Sequence, residues 1–337
     1  MDEAILNNLD QAMRDDDLAT VATLLDDHPD LISTPVRSRS WGPPLSHAAN
    51  LGKLNIVAAL LHRNPADVEH AFGRACLQGQ LAVARYLLAQ SPALGEGLES
   101  ALFGPCEALK PAAIPLLIEL GADPNAVWEH GGTVLDMAIC SYMWEERPAT
   151  IEALVQGGLD FEDGPEMDIH RGRADALTAR LDADPELVHR PSNFRAGKEY
   201  GGLYGGAPLI RPTLLHICAE FGAVEEARLL LDRGADPNAR CVPDEAGIGD
   251  QTPLFHAVAS NKNHAFPVLE LLVEKGADPN ARATVRVPRT GLQSVQSDDP
   301  VLEQVTPLGY ALNYPNDEHH KPHPDAIEYL QMRDGRV

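Results

Sequence analysis

TLLHICAEFGAVEEARLLLDRGADPNAR (213–240) and TPLFHAVAS…PVLELLVEKGADPNAR (252–282) are two copies of one pattern. Each opens on a Thr suited to cap a helix, and in the second copy Pro253 follows where no N–H donor is needed. A pair of small residues comes next, close enough in size to let neighbouring helices approach. Gly222 then ends the first helix in a left-handed cap, as Gly52 and Gly79 do elsewhere. The Leu-Leu pairs at 60–61, 87–88, 230–231 and 271–272 bury a second helix against the following copy. One such unit cannot cover its own apolar face, so the pattern predicts stability through stacking. Weaker copies are PPLSHAANLGKLNIVAALLHRNP (43–65) and IPLLIELGADPNA (114–126).

This pattern resembles the ankyrin repeat, which reads TPLHxAAxxG, then VxxLL, then GADxNA, and more narrowly the bacterial type with long finger-loop insertions. The resemblance covers nearly the whole chain. It implies an all-α fold: an ankyrin-like α-solenoid of about nine stacked helix pairs, with hairpin and finger loops on one edge, forming a single array over residues 1–337. Small pairs set the register at Ala48-Ala49, Ala75-Cys76, Pro105-Cys106, Ala138-Ile139, Cys218-Ala219, Ala257-Val258 and Ala311-Leu312. Two degenerate copies, QAMRDDDLATVATLLDDHPDL and EMDIHRGRADALTARLDADPELV, end in His-Pro-Asp-Leu and Asp-Pro-Glu-Leu instead of GADxNA. The expected repeats are a cap at 1–34, then 41–65, 66–91, 98–126, 131–162, 166–190, 212–240 and 251–282, and a cap at 304–337. Finger insertions are expected at 190–211, 241–250 and 283–304. Long loops in a compact array are usually functional or disordered, and the first of these carries Phe194, Tyr200 and Tyr204 among glycines.

The register also names the side chains expected to face the concave groove: the residue inside HxAA and the two after the small pair. His170, Glu220 and His256 come from three consecutive repeats and form the candidate acid–base set. Equivalent positions put His170 and Glu220 side by side, and a carboxylate there would raise the imidazole pKa. Candidate binding residues are Arg171, His47, Glu107, Tyr200, Tyr204, Tyr310 and Asn313. Each has a plainer reading as a solvated or buried repeat residue. His216 occupies the TPLH position, where the resemblance implies a bridge to neighbouring backbone. The HHxPH run at 319–323 lacks a carboxylate cage and is a weak ligand set, so no metal is expected. No GxSxG, P-loop, Rossmann or HExxH motif is present, and no cofactor is expected.

Composition narrows the partner class. With 27 Lys+Arg against 50 Asp+Glu the formal charge is −23, which repels nucleic acid and anionic membrane surfaces. Hydrophobic residues reach 44%, enough for a core, and there is no apolar run long enough for a transmembrane helix. The start, MDEAILNNLD, does not read as a secretory signal. Cys76, Cys106, Cys140, Cys218 and Cys241 lack CxxC spacing and read as reduced thiols of a cytoplasmic protein. The expectation is an ankyrin-repeat binding protein, acting as a monomer and gripping a protein or small polar ligand in its groove, with no nucleic acid and no membrane. The alternative is an acid–base lyase, isomerase or hydrolase acting on a small oxygen-rich substrate beneath loop 190–212.

Overall fold

The computed structural model describes residues 2–37, 41–128, 131–141, 143–192, 209, 211–287, 289, 298–314 and 322–336. Among them 18 α-helices follow one another as nine pairs. The chain forms two compact units, Met1–Ala126 with Ala153–Leu159, and Val127–Glu152 with Asp160–Val337.

The first unit holds α1 (Glu3–Arg14) and α2 (Leu18–Asp27), α3 (Pro44–Leu51) and α4 (Leu54–Leu61), α5 (Val68–Leu77) and α6 (Leu81–Gln90), and α7 (Phe103–Glu107) and α8 (Ala113–Glu119). The odd-numbered helices pack in series, α1 on α3, α3 on α5 and α5 on α7. Small side chains permit this: Ala48, Ala49 and Ala75 are fully buried, with Cys76 and Cys106 almost so. Gly52 closes α3 at φ 74°, a left-handed conformation that costs other residues about 1 kcal/mol.

The second unit holds α9 (Val134–Ile139), the start of α10 (Arg147–Gln156), α11 (Pro165–His170) and α12 (Ala174–Ala183), α13 (Leu214–Phe221) and α14 (Val224–Asp232), α15 (Pro253–Val258) and α16 (Phe266–Glu274), and α17 (Pro307–Asn313) and α18 (Pro324–Met332). Here α11, α13, α15 and α17 pack in series, with α12, α14 and α16 stacked beside them. Thr133 caps α9 in a reciprocal box with Asp136. His216 does the bridging expected of it. Its Nδ1 accepts from the Thr213 backbone N–H at 3.2 Å, and its Nε2 donates to the Gln251 carbonyl, at the start of the next pair, at 3.1 Å.

Three expectations change on contact with the structure. Most residues inside HxAA do not open onto a groove, Arg74 and Gly104 alone being half-buried among the described ones. His47, Ile217 and Tyr310 are fully buried and His256 is 1% exposed, because the inner helices approach closely enough to enclose them. Leu312, expected as half of a buried small pair, is 49% exposed. The insertion after Arg282 is not merely a loop. Strands β1 (Ala283–Arg286) and β2 (Val301–Val305) pair antiparallel, and Ala283, Val285 and Val287 turn into the core while Thr284 and Arg286 do not.

Candidate functional site

Some of the side chains expected in the groove are brought together by an offset that the repeat register alone does not reveal. In two places the residue inside HxAA of one repeat reaches the first residue after the small pair of the preceding repeat. In the first unit, Arg74 Nε donates to Asn50 Oδ1 at 3.0 Å. In the second, His256 Nδ1 meets Glu220 Oε2 at 2.7 Å. A carboxylate only accepts, so Nδ1 carries the proton and donates to it. Both contacts therefore run diagonally between repeats and not straight across.

That offset overturns the expected His170–Glu220 pairing. Glu220 is engaged by His256, while the diagonal counterpart of His170 is the apolar Ile217. His170 is 2% exposed and lies edge-on against Phe221, ring centroids 4.6 Å apart. Burial, and after it the charge of Arg147, push its pKa down to about 3. The imidazole is therefore neutral near pH 7, the opposite of the imidazolium expected from a neighbouring carboxylate.

The candidate binding residues divide between the units. His47 and Glu107 belong to the first. His47 Nε2 donates to Asp10 Oδ1 at 2.7 Å, and its ring stacks on Trp41 at 5.5 Å. Asp10 also accepts from Arg14 and Arg37. Burial works to raise the Asp10 carboxyl, but bonds from Arg37, Arg14 and His47 outweigh it and hold the pKa low. Burial lowers the His47 pKa against the pull of Asp10. Glu107 is the half-buried last residue of α7.

In the second unit, Arg171 Nε donates to Glu152 Oε1 at 2.5 Å and its guanidinium lies over Phe161 at 5.3 Å. The bond from Glu152 raises the Arg171 pKa. Tyr310 is a core residue, 5.8 Å from Phe255 and 5.5 Å from Tyr314 between ring centroids. Burial lifts its hydroxyl well above the ordinary range. Asn313 is exposed, and its Nδ2 donates to the Gly309 carbonyl within its own helix at 2.8 Å. Tyr200 and Tyr204 lie outside the described residues.

Arg147, which the repeat register did not single out, is the Lys or Arg with the least exposure among the described residues, at 5%. Its Nη1 donates to the Phe221 carbonyl at 3.3 Å and its Nη2 to the Met143 carbonyl at 3.1 Å. The Phe221 ring lies 5.0 Å beneath the guanidinium. Nearby, Trp144 stacks on His264 at 5.2 Å, and Lys262 Nζ sits over the same indole at 5.6 Å. His264 Nε2 donates to the Glu220 carbonyl at 3.1 Å. The widened turns after α9 and α15 thus meet over the C-terminal end of α13. The clue in the sequence was the extra length of both turns, YMWEE (142–146) and the stretch 259–265.

Cysteine chemistry does not enter. Burial pushes the thiols of Cys76, Cys106, Cys140 and Cys241 up to about 12 and that of Cys218 well above its ordinary value. All stay protonated at neutral pH, whereas a nucleophilic thiol must ionise. Among the described residues no three or more His, Cys, Asp or Glu side chains converge as a metal set, and no helix is long and apolar enough to cross a membrane.

Comparison with known proteins agrees with the repeat geometry. Residues 203–283 match the family model described as ankyrin repeats (3 copies). That stretch of the chain carries ankyrin repeats. The chain's all-α paired-helix architecture is that of an ankyrin-like solenoid. A solved human ASB11 ankyrin repeat domain is similar at 20% identity, with 79% of this chain and 98% of that one covered and a TM-score of 0.35. That likeness carries no argument about individual residues. No curated protein matches in sequence. Ankyrin repeats are in general protein–protein interaction modules.

Proposed function

We propose that this protein is an ankyrin-repeat binding protein that holds a protein or polar ligand in its concave groove, acting as a monomer in the cytoplasm. The observation that carries this reading is the employment of the candidate proton carriers within the stack. Glu220 is held by His256, His216 bridges two repeats, and His170 is neutral with a pKa near 3. An acid–base catalyst works best with a pKa near the operating pH, and His170 lies far below it. A charge of −23 favours a cationic partner, whose approach it would accelerate at low salt. Buried, unpaired thiols suit a reducing compartment.

One observation favours a second reading, an acid–base enzyme acting on a small oxygen-rich substrate under loop 190–212. His256 Nδ1 is held by the Glu220 carboxylate while its buried Nε2 has no hydrogen-bond partner, the arrangement that orients a general base. In that reading His256 and Glu220 remain the candidate pair, and His170 contributes no proton near neutrality.

The two readings separate in one experiment. Residues 194–207 are replaced by a short Gly-Ser link, and binding to a cross-linked, mass-identified partner is measured beside helical circular dichroism. The binding reading expects unchanged helicity and lost affinity. Affinity and helicity that both survive would remove its support. Loss of a turnover in His256→Ala, with partner affinity intact, would favour the enzyme.

A further inference from the structure

Arg147 is a buried cation whose charge is only partly answered. Its two bonds go to neutral carbonyl oxygens, and the guanidinium fork carries more N–H donors than these use. Nε is buried and has no hydrogen-bond partner. Among the described residues no carboxylate comes within ion-pair distance of Arg147. The nearby acidic groups are Glu220, already bonded to His256, and the protonated Cys140. The C-terminal end of α13, which Arg147 caps through the Phe221 carbonyl, supplies a partial negative charge of about half a unit. Even with burial lowering its pKa to about 10, the group stays charged near pH 7.

A buried charge without a direct ion-pair partner is a costly arrangement in a protein interior. The surroundings define what would balance this one. Phe221 covers one face of the guanidinium and the two carbonyls fix its tilt, so the unused donors are those of its edge. A guanidinium edge with Nε free matches two oxygens of one planar or tetrahedral anion, bound side-on. His170 beside it is held neutral, in part by the Arg147 charge, so it can approach without repulsion. Lys262 and His264, gathered on Trp144 in the adjoining turn, add basic groups nearby in a chain that is otherwise strongly acidic.

We propose that Arg147 is the anchor of an anion-binding site in the second unit, taking a carboxylate or phosphate oxygen pair side-on at its Nε edge. The anion test acts on Arg147 and the binding test on residues 194–207, so either reading can fail without the other.

The test uses the full chain with two probes, sodium acetate and inorganic phosphate, each titrated at constant ionic strength against chloride. Thermal unfolding and the ¹⁵N-resolved side-chain Nε–H signal of Arg147 are followed. The expected result is a saturable rise in Tm and a saturable shift of that signal with at least one probe. Acetate alone would point to a carboxylate source, and phosphate alone to a phosphate source. Arg147→Met should abolish both responses. Arg147→Lys, which keeps the charge and loses the fork, should weaken binding about tenfold and serves if the Met variant does not fold. Absence of a saturable response in the wild-type chain, or an equal response in Arg147→Lys, would overturn the proposal.

Discussion

Two histidines buried in neutral form make stability fall as the medium is acidified, and the slope follows from their pKa values. His170 and His216 are each pushed from 6.5 to about 3, chiefly by burial. The unfolded chain therefore binds protons below pH 6.5 that the folded chain refuses until about pH 3. Stability from these groups is complete above pH 6.5 and is lost progressively as pH falls toward 3. Each costs about 1.4 kcal/mol per pH unit in that window. Together they remove about 4 kcal/mol between pH 6.5 and pH 5, a large part of the 5–15 kcal/mol typical of a domain. Both side chains are enclosed, so solvent does not screen the effect. His170→Leu isolates half of it, since Leu fills similar space against Phe221 and relieves the neighbouring Arg147. Urea unfolding of wild type and variant at about pH 7, 6 and 5 should give a variant shallower by about 1.4 kcal/mol per pH unit. Equal slopes would mean that His170 protonates within the folded chain, and the burial argument would fail.

Other predictions concern packing and backbone. Gly234 has φ 94° with nothing within 4 Å of an added Cβ, so Gly234→Ala should cost about 1 kcal/mol by chemical denaturation. Gly222→Ala should cost visibly more, because its Cβ would lie 2.8 Å from the His264 ring and 3.0 Å from its carbonyl oxygen. Leu230, fully buried, should lose about 2–5 kcal/mol on replacement by Ala, whereas Leu312→Ala should stay within about 0.5 kcal/mol. Similar losses at the two leucines would show that Leu312 is covered.

The helix pairs were legible because their signals are local and mutually consistent: a Thr-Pro start, a small pair, a left-handed glycine and a Leu-Leu seam. The strand hairpin was legible in principle, since Ala283, Val285 and Val287 alternate with Thr284 and Arg286. Its signal is weak because the two strands are short and lie at the ends of a long insertion. The candidate site was legible as a list of residues but not as a set of contacts. Repeat register says which positions are equivalent, not how far one inner helix is displaced along the next. That displacement gives Glu220 to His256 and leaves His170 beside Phe221 and Arg147. Arg147 is not legible from the repeat for a related reason. It belongs to a widened turn, outside the repeat pattern, and its burial against Phe221 depends on a repeat 74 residues away in the chain.

The diagonal offset is the centre of this account, and a pair of double-mutant cycles on unfolding free energy tests it directly. Glu220 and His256 are replaced by Ala singly and together, and Glu220 and His170 likewise. The structure predicts a coupling of about 1–3 kcal/mol for Glu220 with His256, as befits a hydrogen bond to a charged group, and a coupling within about 0.5 kcal/mol for Glu220 with His170. The reverse order, with the larger coupling at His170, would contradict it.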